Sequence, residues 1–500
     1  MMTAEQNRKA AERSQEVEKM QREIADQERI RAAAAEEEAK RQAYIANQKR
    51  VEAEEMVSRL GIQLYAKNIS DAQHAYENLQ LKNAIEILLS CPQNMRHWEW
   101  YFLWHVSTTT GNQRELPSGA VLFQAHKFGF GAYEHTSLLG GALKRFEGHN
   151  SDIIKVVFSP DSKYLFSVDL SGELKVWSID NEKEVQNIKL SDLKVLNFCL
   201  SPKGDKIAIS TDDRVAIIDL NGDYLNKQLS QHPASYRDGR QVSWSPDGRY
   251  IAFGSRSRTI NKRTNDAPVI KIWDILKDEI VHTLKLLKDE ESFTYIRNSL
   301  SGDAHDIYAL AFSPNSRFIA AGTNVSWCSN RTLWMWDIET GDEKITSDGQ
   351  IVADLIFSPD GEQIVVSRGN SNSRETGKVE VWCIRNEIVL RELKGHSDVV
   401  TSVSYSSDGR RIVTSASESL RVWHADTGTE LFRISLNPFM KYASYNAKIK
   451  AQFSPDCGKL AIWSDKGGWM TDGKDIWLLA ASSAEDVAGW KDNHLHNSQD

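Results

Sequence analysis

Trp244-Ser245-Pro246-Asp247-Gly248-Arg249-Tyr250-Ile251-Ala252-Phe253, followed by Lys271-Ile272-Trp273-Asp274, is the stretch on which the fold turns. Proline fixes φ at the second position of a tight turn, and Asp and Gly suit the positions after it. Tyr250 to Phe253 then reads as a strand. A related turn downstream of Ile154, Val156 and Phe158 shows the strand before it, with apolar residues alternating. Each turn is therefore a hairpin between two strands, and Lys271-Ile272-Trp273 supplies a third.

Working outward, the turn recurs as Phe158-Ser-Pro-Asp161, Leu200-Ser-Pro-Lys-Gly204, Phe312-Ser-Pro-Asn315, Phe357-Ser-Pro-Asp-Gly361, Tyr405-Ser-Ser-Asp-Gly409 and Phe453-Ser-Pro-Asp456. The third strand recurs as Lys175-Val-Trp177, Ala216-Ile-Ile218, Trp334-Met-Trp336, Glu380-Val-Trp382, Arg421-Val-Trp423 and Asp475-Ile-Trp477. Seven units follow one another at about 42 to 48 residues, with one interval of 68 between the third and fourth. A fixed period of that size is the mark of a repeat architecture.

Trp177, Trp273, Trp336, Trp382, Trp423 and Trp477 share one place in the repeat. Asp274 and Asp337 follow two of them, and Gly148-His149 and Gly395-His396 stand ahead of two repeats. These features resemble the WD40 repeat. The resemblance implies an all-β seven-bladed WD40 β-propeller with four strands per blade, closed by sharing strands between the first and last blades. Leu143-Lys144-Arg145-Phe146 would complete the last blade, and the chain ends soon after Trp477, as that closure requires. The family's buried His–Ser/Thr–Asp–Trp network is not expected to assemble fully in any repeat. His149 with Trp177 and His396 with Trp423 are its remnants and read as structural.

Ahead of the repeats lies a different kind of sequence. Residues 3–60 lack Pro and Gly and are rich in helix formers, which predicts a long charged helix or coiled-coil arm over 1–60. Ala32, Ala35, Ala39, Ala43, Ala46, Ala53, Val57, Leu60 and Leu64 form one stripe at helical spacing, and Val17, Met20 and Ile24 start another. Two readings stand: a homodimer through this helix, or a solvated single helix steadied by pairs such as Glu36 with Lys40.

A helical linker module is expected over 61–107. Leu64, Ala72, Ala75, Tyr76 and Leu79 would form one apolar face; Leu81, Ala84, Ile85, Leu88 and Leu89 a second; and Trp98-Glu99-Trp100-Tyr101-Phe102-Leu103-Trp104 a buried helix. Core packing is preferred there to an aromatic ligand cage. A connector (108–142), the propeller (143–480) and a tail (481–500) complete the expected organisation. Leu64-Tyr65-Ala66-Lys67-Asn68-Ile69, Ala84 to Leu89 and Arg96 to Trp104 resemble the linker of bacterial WD40-containing serine/threonine protein kinases. The kinase domain of that family has no counterpart here: no glycine-rich phosphate loop, His-Arg-Asp or Asp-Phe-Gly occurs.

The composition narrows the function further. Net charge is −8, which argues against a nucleic-acid partner. No apolar run is long enough to insert in a membrane. Five scattered cysteines form no CxxC pair, so neither a zinc pattern nor a disulfide framework is read, and the chain reads as cytoplasmic. No GxSxG, P-loop, HExxH or EF-hand motif occurs. Ser191-Asp192-Leu193-Lys194 matches SxxK without its companion motifs, and His494 and His496 stand in a polar tail. The expectation is a protein without catalytic residues, metal or cofactor.

Binding is expected on the insertions between second and third strands, Ser255–Pro268, Gly322–Thr332, Ser367–Lys378 and Ser464–Asp475. These hold ten basic against five acidic side chains. Arg256, Arg258, Arg263, Arg368 and Arg374, with Trp327 and Trp469, would bind an acidic or phosphorylated peptide through Arg forks on a Trp platform. Asp289-Glu290-Glu291 in a neighbouring loop offsets part of that charge, and ordinary solvated loops are the plainer reading. The functional expectation is a protein–protein interaction scaffold, with bacterial signalling as its setting. Two alternatives remain: the sensor part of a WD40 serine/threonine kinase system, separated from its catalytic part, and a hydrolase-associated propeller.

Overall fold

The computed structural model describes residues 2–78, 80–111, 143–190, 194–211, 214–220, 227–231, 241–255, 269–286, 307–323, 331–348, 350–369, 377–417, 419–435, 448–464 and 474–480. Two compact units divide the chain, Met1–Leu64 and Tyr65–Asp500.

The second unit carries seven four-stranded antiparallel sheets. Six are built from strands consecutive in sequence, and their first strands are Ile153–Phe158, Val195–Leu200, Val242–Trp244, Ile307–Phe312, Val352–Phe357 and Val400–Tyr405. The seventh combines Ile449–Phe453, Lys459–Ser464 and Ile476–Ala480 with Leu143–Phe146 from the other end of the repeats. The register is Leu143↔Leu479, Lys144↔Leu478, Arg145↔Trp477 and Phe146↔Ile476, so the ring closes as the sequence led one to expect. Arg145 fixes that register chemically. Its Nε donates to Asp475 at 2.9 Å, and its guanidinium lies 5.1 Å from the Trp477 ring centre.

First strands of successive blades touch and line the axis, whereas fourth strands form the rim. Second strands are covered on both faces by neighbouring blades, so Tyr164–Asp169 and Gln363–Arg368 are buried at every position after the first, polar residues included. The rim strand Lys183–Lys189 is exposed except at Ile188 and carries charge instead.

Helix α1 spans Met2–Glu77. Gly61, where the pattern changes, does not interrupt it. Among its described side chains, those through Leu60 are exposed, with pairs such as Glu36–Lys40 at 2.7 Å on the surface. The part in the second unit is buried along Tyr65, Ala66, Ile69, Ala72, Ala75 and Tyr76. Leu64, expected on this face, is 58% exposed. Ala72, Ala75 and Tyr76 of the expected face are buried and Leu79 lies outside the described residues; in place of Leu64 it is Tyr65 that turns inward, its hydroxyl reaching the buried Glu99 carboxylate at 3.0 Å.

Helix α2 (Leu81–Ser90) stops where Pro92 forces Cys91 into an extended backbone. Arg96 then donates to the carbonyls of Leu89 and Cys91 at the end of α2 and lies 4.4 Å from the Trp100 ring centre. Helix α3 (Trp98–Gly111) stacks Trp98 on Phe102 (5.0 Å) and Trp100 on Trp104 (5.1 Å), all buried. Trp100 Nε1 donates to Leu88 O at 2.7 Å. The edges of Phe432 and Phe453 meet Trp98, which seats the helix on blades six and seven. Each such aromatic pair contributes about 0.5–1.5 kcal/mol beyond its buried area. The sequence preference for a packed core over an open cage holds.

Candidate interaction faces of the ring

A propeller blade has two ends. The hairpin turn between first and second strands lies at one end; the connection from second to third strand, and the connection from each fourth strand to the next blade, lie at the other. The turn end is built by one repeated device. Ser159 Oγ donates to Asp161 (2.6 Å) and accepts from Tyr164 N (2.9 Å), and the same pattern recurs at Ser245–Asp247, Ser313–Asn315, Ser358–Asp360 and Ser406–Asp408. The helical module is seated at this end. His97 Nε2 lies 2.7 Å from Asp408 Oδ2 in the blade-six turn. Glu99 meets Arg411, the first residue of the second strand there, at 2.8 Å.

Glu99 is fully buried. Burial alone would raise its pKa, but the Arg411 guanidinium and its hydrogen bonds prevail and hold it below the ordinary value. Burial pushes the Tyr65 phenol in the opposite direction, well above its ordinary value. Glu99–Arg411–Tyr65 is thus an internal polar clamp between module and ring. Pairing by a bidentate guanidinium makes such burial tolerable.

At the other end the described strands run into the connections that the sequence reads as elaborated. Arg256, Arg258, Arg263, Trp327, Arg374 and Trp469 lie outside the described residues, as do Ser191 to Leu193, His494, His496 and the tail. Arg368 is described, and its expected role needs correction. Its side chain is 3% exposed, Nε donates to Glu380 at 2.8 Å, and the remaining nitrogens reach Thr332, Ser347 and the Gln350 carbonyl. Arg368 stands within the last turn of a strand that two blades cover, so it ties blade four to blade five.

The histidines also stand differently from expectation. The four-residue network does assemble in blade one: His149 Nδ1 lies 2.9 Å from Asp169, His149 Nε2 lies 2.6 Å from Ser167 Oγ, and Trp177 Nε1 donates to Ser167 at 2.8 Å. Ser167 and Asp169 are fully buried in the strand Tyr164–Asp169, and no spacing in the sequence marks them as partners of His149. In blade six His396 and Trp423 share the Thr414 hydroxyl at 2.7 and 2.8 Å, but Ala416 replaces the acid. Trp336 and Trp477 are buried, and Trp273 and Trp382 are half-buried.

At the axis, polar side chains lace the first strands together. Lys155 Nζ donates to Asn197 (3.1 Å), and Asn197 donates to Gln241 (3.2 Å). Asp354 accepts from Val403 N at 3.0 Å, and Lys450 donates to Thr401 O. Desolvation pushes the Lys155 ammonium down, Lys450 adds to that, and Cys199 and Asp354 oppose it.

Comparison with known proteins agrees with this geometry. The model of the "WD domain, G-beta repeat" family matches residues 140–178, 295–337 and 388–424. Intraflagellar transport protein 122 homolog of Danio rerio is 30% identical over 144 residues, 28% of this chain and 11% of that protein. Transcription initiation factor TFIID subunit 5 of Caenorhabditis elegans is 24% identical over 281 residues, 56% of this chain and 37% of that one. WD repeat and SOCS box-containing protein 1 of Homo sapiens is 24% identical over 229 residues, 39% and 51% respectively. The chain therefore spans between about a tenth and a half of these relatives.

Proposed function

The chain carries WD40 repeats closed into a seven-bladed propeller, and from that premise we propose that it is a non-catalytic protein–protein interaction scaffold. The observation that carries this reading is the asymmetry of the ring. The helical module is seated over turns at one end of blades six and seven, while the strands that lead into the longest connections end at the opposite face. Elaborated loops on a rigid frame are where binding residues gather. The names of the relatives, a transport protein and a transcription-factor subunit among them, fit the same reading.

The partner-binding surface is the connection face, with Arg256, Arg258, Arg263 and Arg374 recognising an acidic or phosphorylated peptide and Trp327 and Trp469 giving it a flat support. Immobilised full-length chain should retain phosphoserine peptides over their unphosphorylated forms. Reversing Arg256, Arg258 and Arg263 to Glu should weaken retention about tenfold or more, since each charged hydrogen bond contributes about 1.5–3 kcal/mol. Unchanged retention would remove this surface from consideration.

The arm's exposed Val17, Met20, Ile24, Val57 and Leu60 support self-association, which sedimentation of full-length chain checks directly. Among the described residues no helix is long and apolar enough to cross a membrane. A second reading, a regulatory part of a serine/threonine kinase system in bacterial signalling, rests on the linker resemblance. The segment concerned, Arg96 to Trp104, is firmly seated on blades six and seven.

A further inference from the structure

The seat of the helical module brings together three side chains far apart in sequence: His97 before α3, Asp408 in the blade-six turn and Cys457 in the blade-seven turn. His97 Nε2, an Asp408 carboxylate oxygen and Cys457 Sγ all lie within 4.8 Å of one another. We propose that these three residues form a Zn²⁺ site, completed by water, that staples the helical module to blades six and seven.

The donor set of one imidazole, one carboxylate and one thiolate suits zinc, whose bonds of about 2.0–2.3 Å at tetrahedral angles separate donors by about 3.5 Å. His97 and Asp408 are closer than that, at 2.7 Å, and a small rotation of the part-exposed Asp408 opens the gap. The Asp408 Oδ1 atom is already engaged by Ser406 and Arg410 N, which leaves Oδ2 aimed at the site. Binding would release the Cys457 thiol proton to water.

Two observations separate this cluster from an ordinary ion pair. The first is His97 itself. Its side chain is only 10% exposed, and its Nδ1 has no hydrogen-bond partner among the described residues although Glu99 Oε2 stands 3.9 Å away. A neutral ring donating through Nε2 to Asp408 must present a bare Nδ1 lone pair to that carboxylate. Metal on Nε2 moves the proton to Nδ1, where it points at Glu99, the carboxylate–histidine–metal relay that commonly orients ligating histidines.

The second concerns Cys457. Other first-hairpin turns place Gly or Ser at its position, and those that touch the preceding blade's turn do so in a way that requires no thiol. A Cβ at Gly204 would meet Pro160 at 3.0 Å, and Ser162 and Ser316 accept from Asp456 N and Asp247 N, each at 3.0 Å. Cys457 instead meets Ser407 at 3.0 Å, where other turns have proline. Among the described residues a second cluster of ligand type, His149–Asp169–Glu173, has its carboxylate already engaged. Asp169 is consumed by His149, Ser171 and Glu173 N.

Serine stands at φ 59° and 57° in blades one and four, where Cys457 stands at 59°, so Cys457→Ser preserves the turn. Full-length chain stripped with chelator and titrated with Co²⁺ should take up one ion per chain with a thiolate-to-cobalt charge-transfer band. Zn²⁺ should displace the cobalt and raise the melting temperature. In Cys457→Ser the band should vanish, the Zn²⁺-dependent melting shift should disappear, and affinity should fall about 100-fold or more, beyond the 10–100-fold typical of outer contacts. His97→Gln should lose binding comparably. No uptake by the wild-type chain, uptake without the band, or equal affinity in Cys457→Ser would each overturn the site.

Discussion

Blade one and blade six carry the same histidine, the same tryptophan and the same shared hydroxyl, yet only blade one has the acid. Its Asp169 joins two connections. One oxygen takes His149, which enters from the chain ahead of the blade, and the other takes Ser171 Oγ, Ser171 N and Glu173 N in the turn between second and third strands. In blade six the corresponding turn is one residue shorter, Ala416 takes the acid's place in the strand, and Ser419 Oγ approaches His396 Nδ1 at 3.4 Å. A carboxylate that organises four donors has been exchanged for a tighter turn whose Ser419 approaches the ring. The comparison shows that His and Trp share a hydroxyl in both blades, and that in blade one the acid further ties the histidine to the turn between second and third strands.

The largest expected effect of breaking this difference is Asp169→Ala. It strands a buried imidazole and backbone donors, and should cost about 3–5 kcal/mol in denaturant unfolding. If it costs no more than a surface change, the network is ornamental. Thr414→Val in blade six removes the hydroxyl that both His396 and Trp423 use, with an expected cost of about 1–3 kcal/mol.

Acid sharpens the contrast. Burial works to raise the Asp169 pKa, but its hydrogen bonds with His149, Ser171 and Glu173 N outweigh that and hold it below the ordinary value. A depressed carboxyl contributes stability that is complete above its unfolded value, about 3.9, and lost as pH falls through the lower folded value. Stability of the wild-type chain should therefore decline below about pH 4 more steeply than that of Asp169→Asn, whereas His396→Gln should leave this slope unchanged. Parallel acid titrations of the three proteins measure it. The smallest effect belongs to Ser419→Ala, about 0.5 kcal/mol, because its contacts with His396 (3.4 Å) and Arg421 Nε (3.3 Å) are both long.

The repeats were legible because turn chemistry and indole position recur in register, and the closing strand because Leu143–Phe146 precedes the first Gly-His. The aromatic helix announced itself through i,i+4 pairs. What sequence reading lost were features decided by three-dimensional partners. Asp169 is fully buried in its strand, and no spacing in the sequence marks it as a partner of His149. Arg368 looks like a loop cation, but Glu380 on the adjacent strand draws it inward. Tyr65 rather than Leu64 turns inward on α1, where it meets Glu99. His97, Asp408 and Cys457 meet only because α3 docks on two turns, and a cysteine in place of the usual turn glycine was their sole trace in the sequence.

Closure of the ring by Leu143–Phe146 is the claim on which every assignment of loops to a face depends. Hydrogen exchange of the full-length chain, followed by mass spectrometry, reads it at both partners of the shared blade. Protection of 143–146 and 476–480 as slow as that of the second strands of blades one to six is predicted; rapid exchange at both segments while those strands stay protected would contradict it.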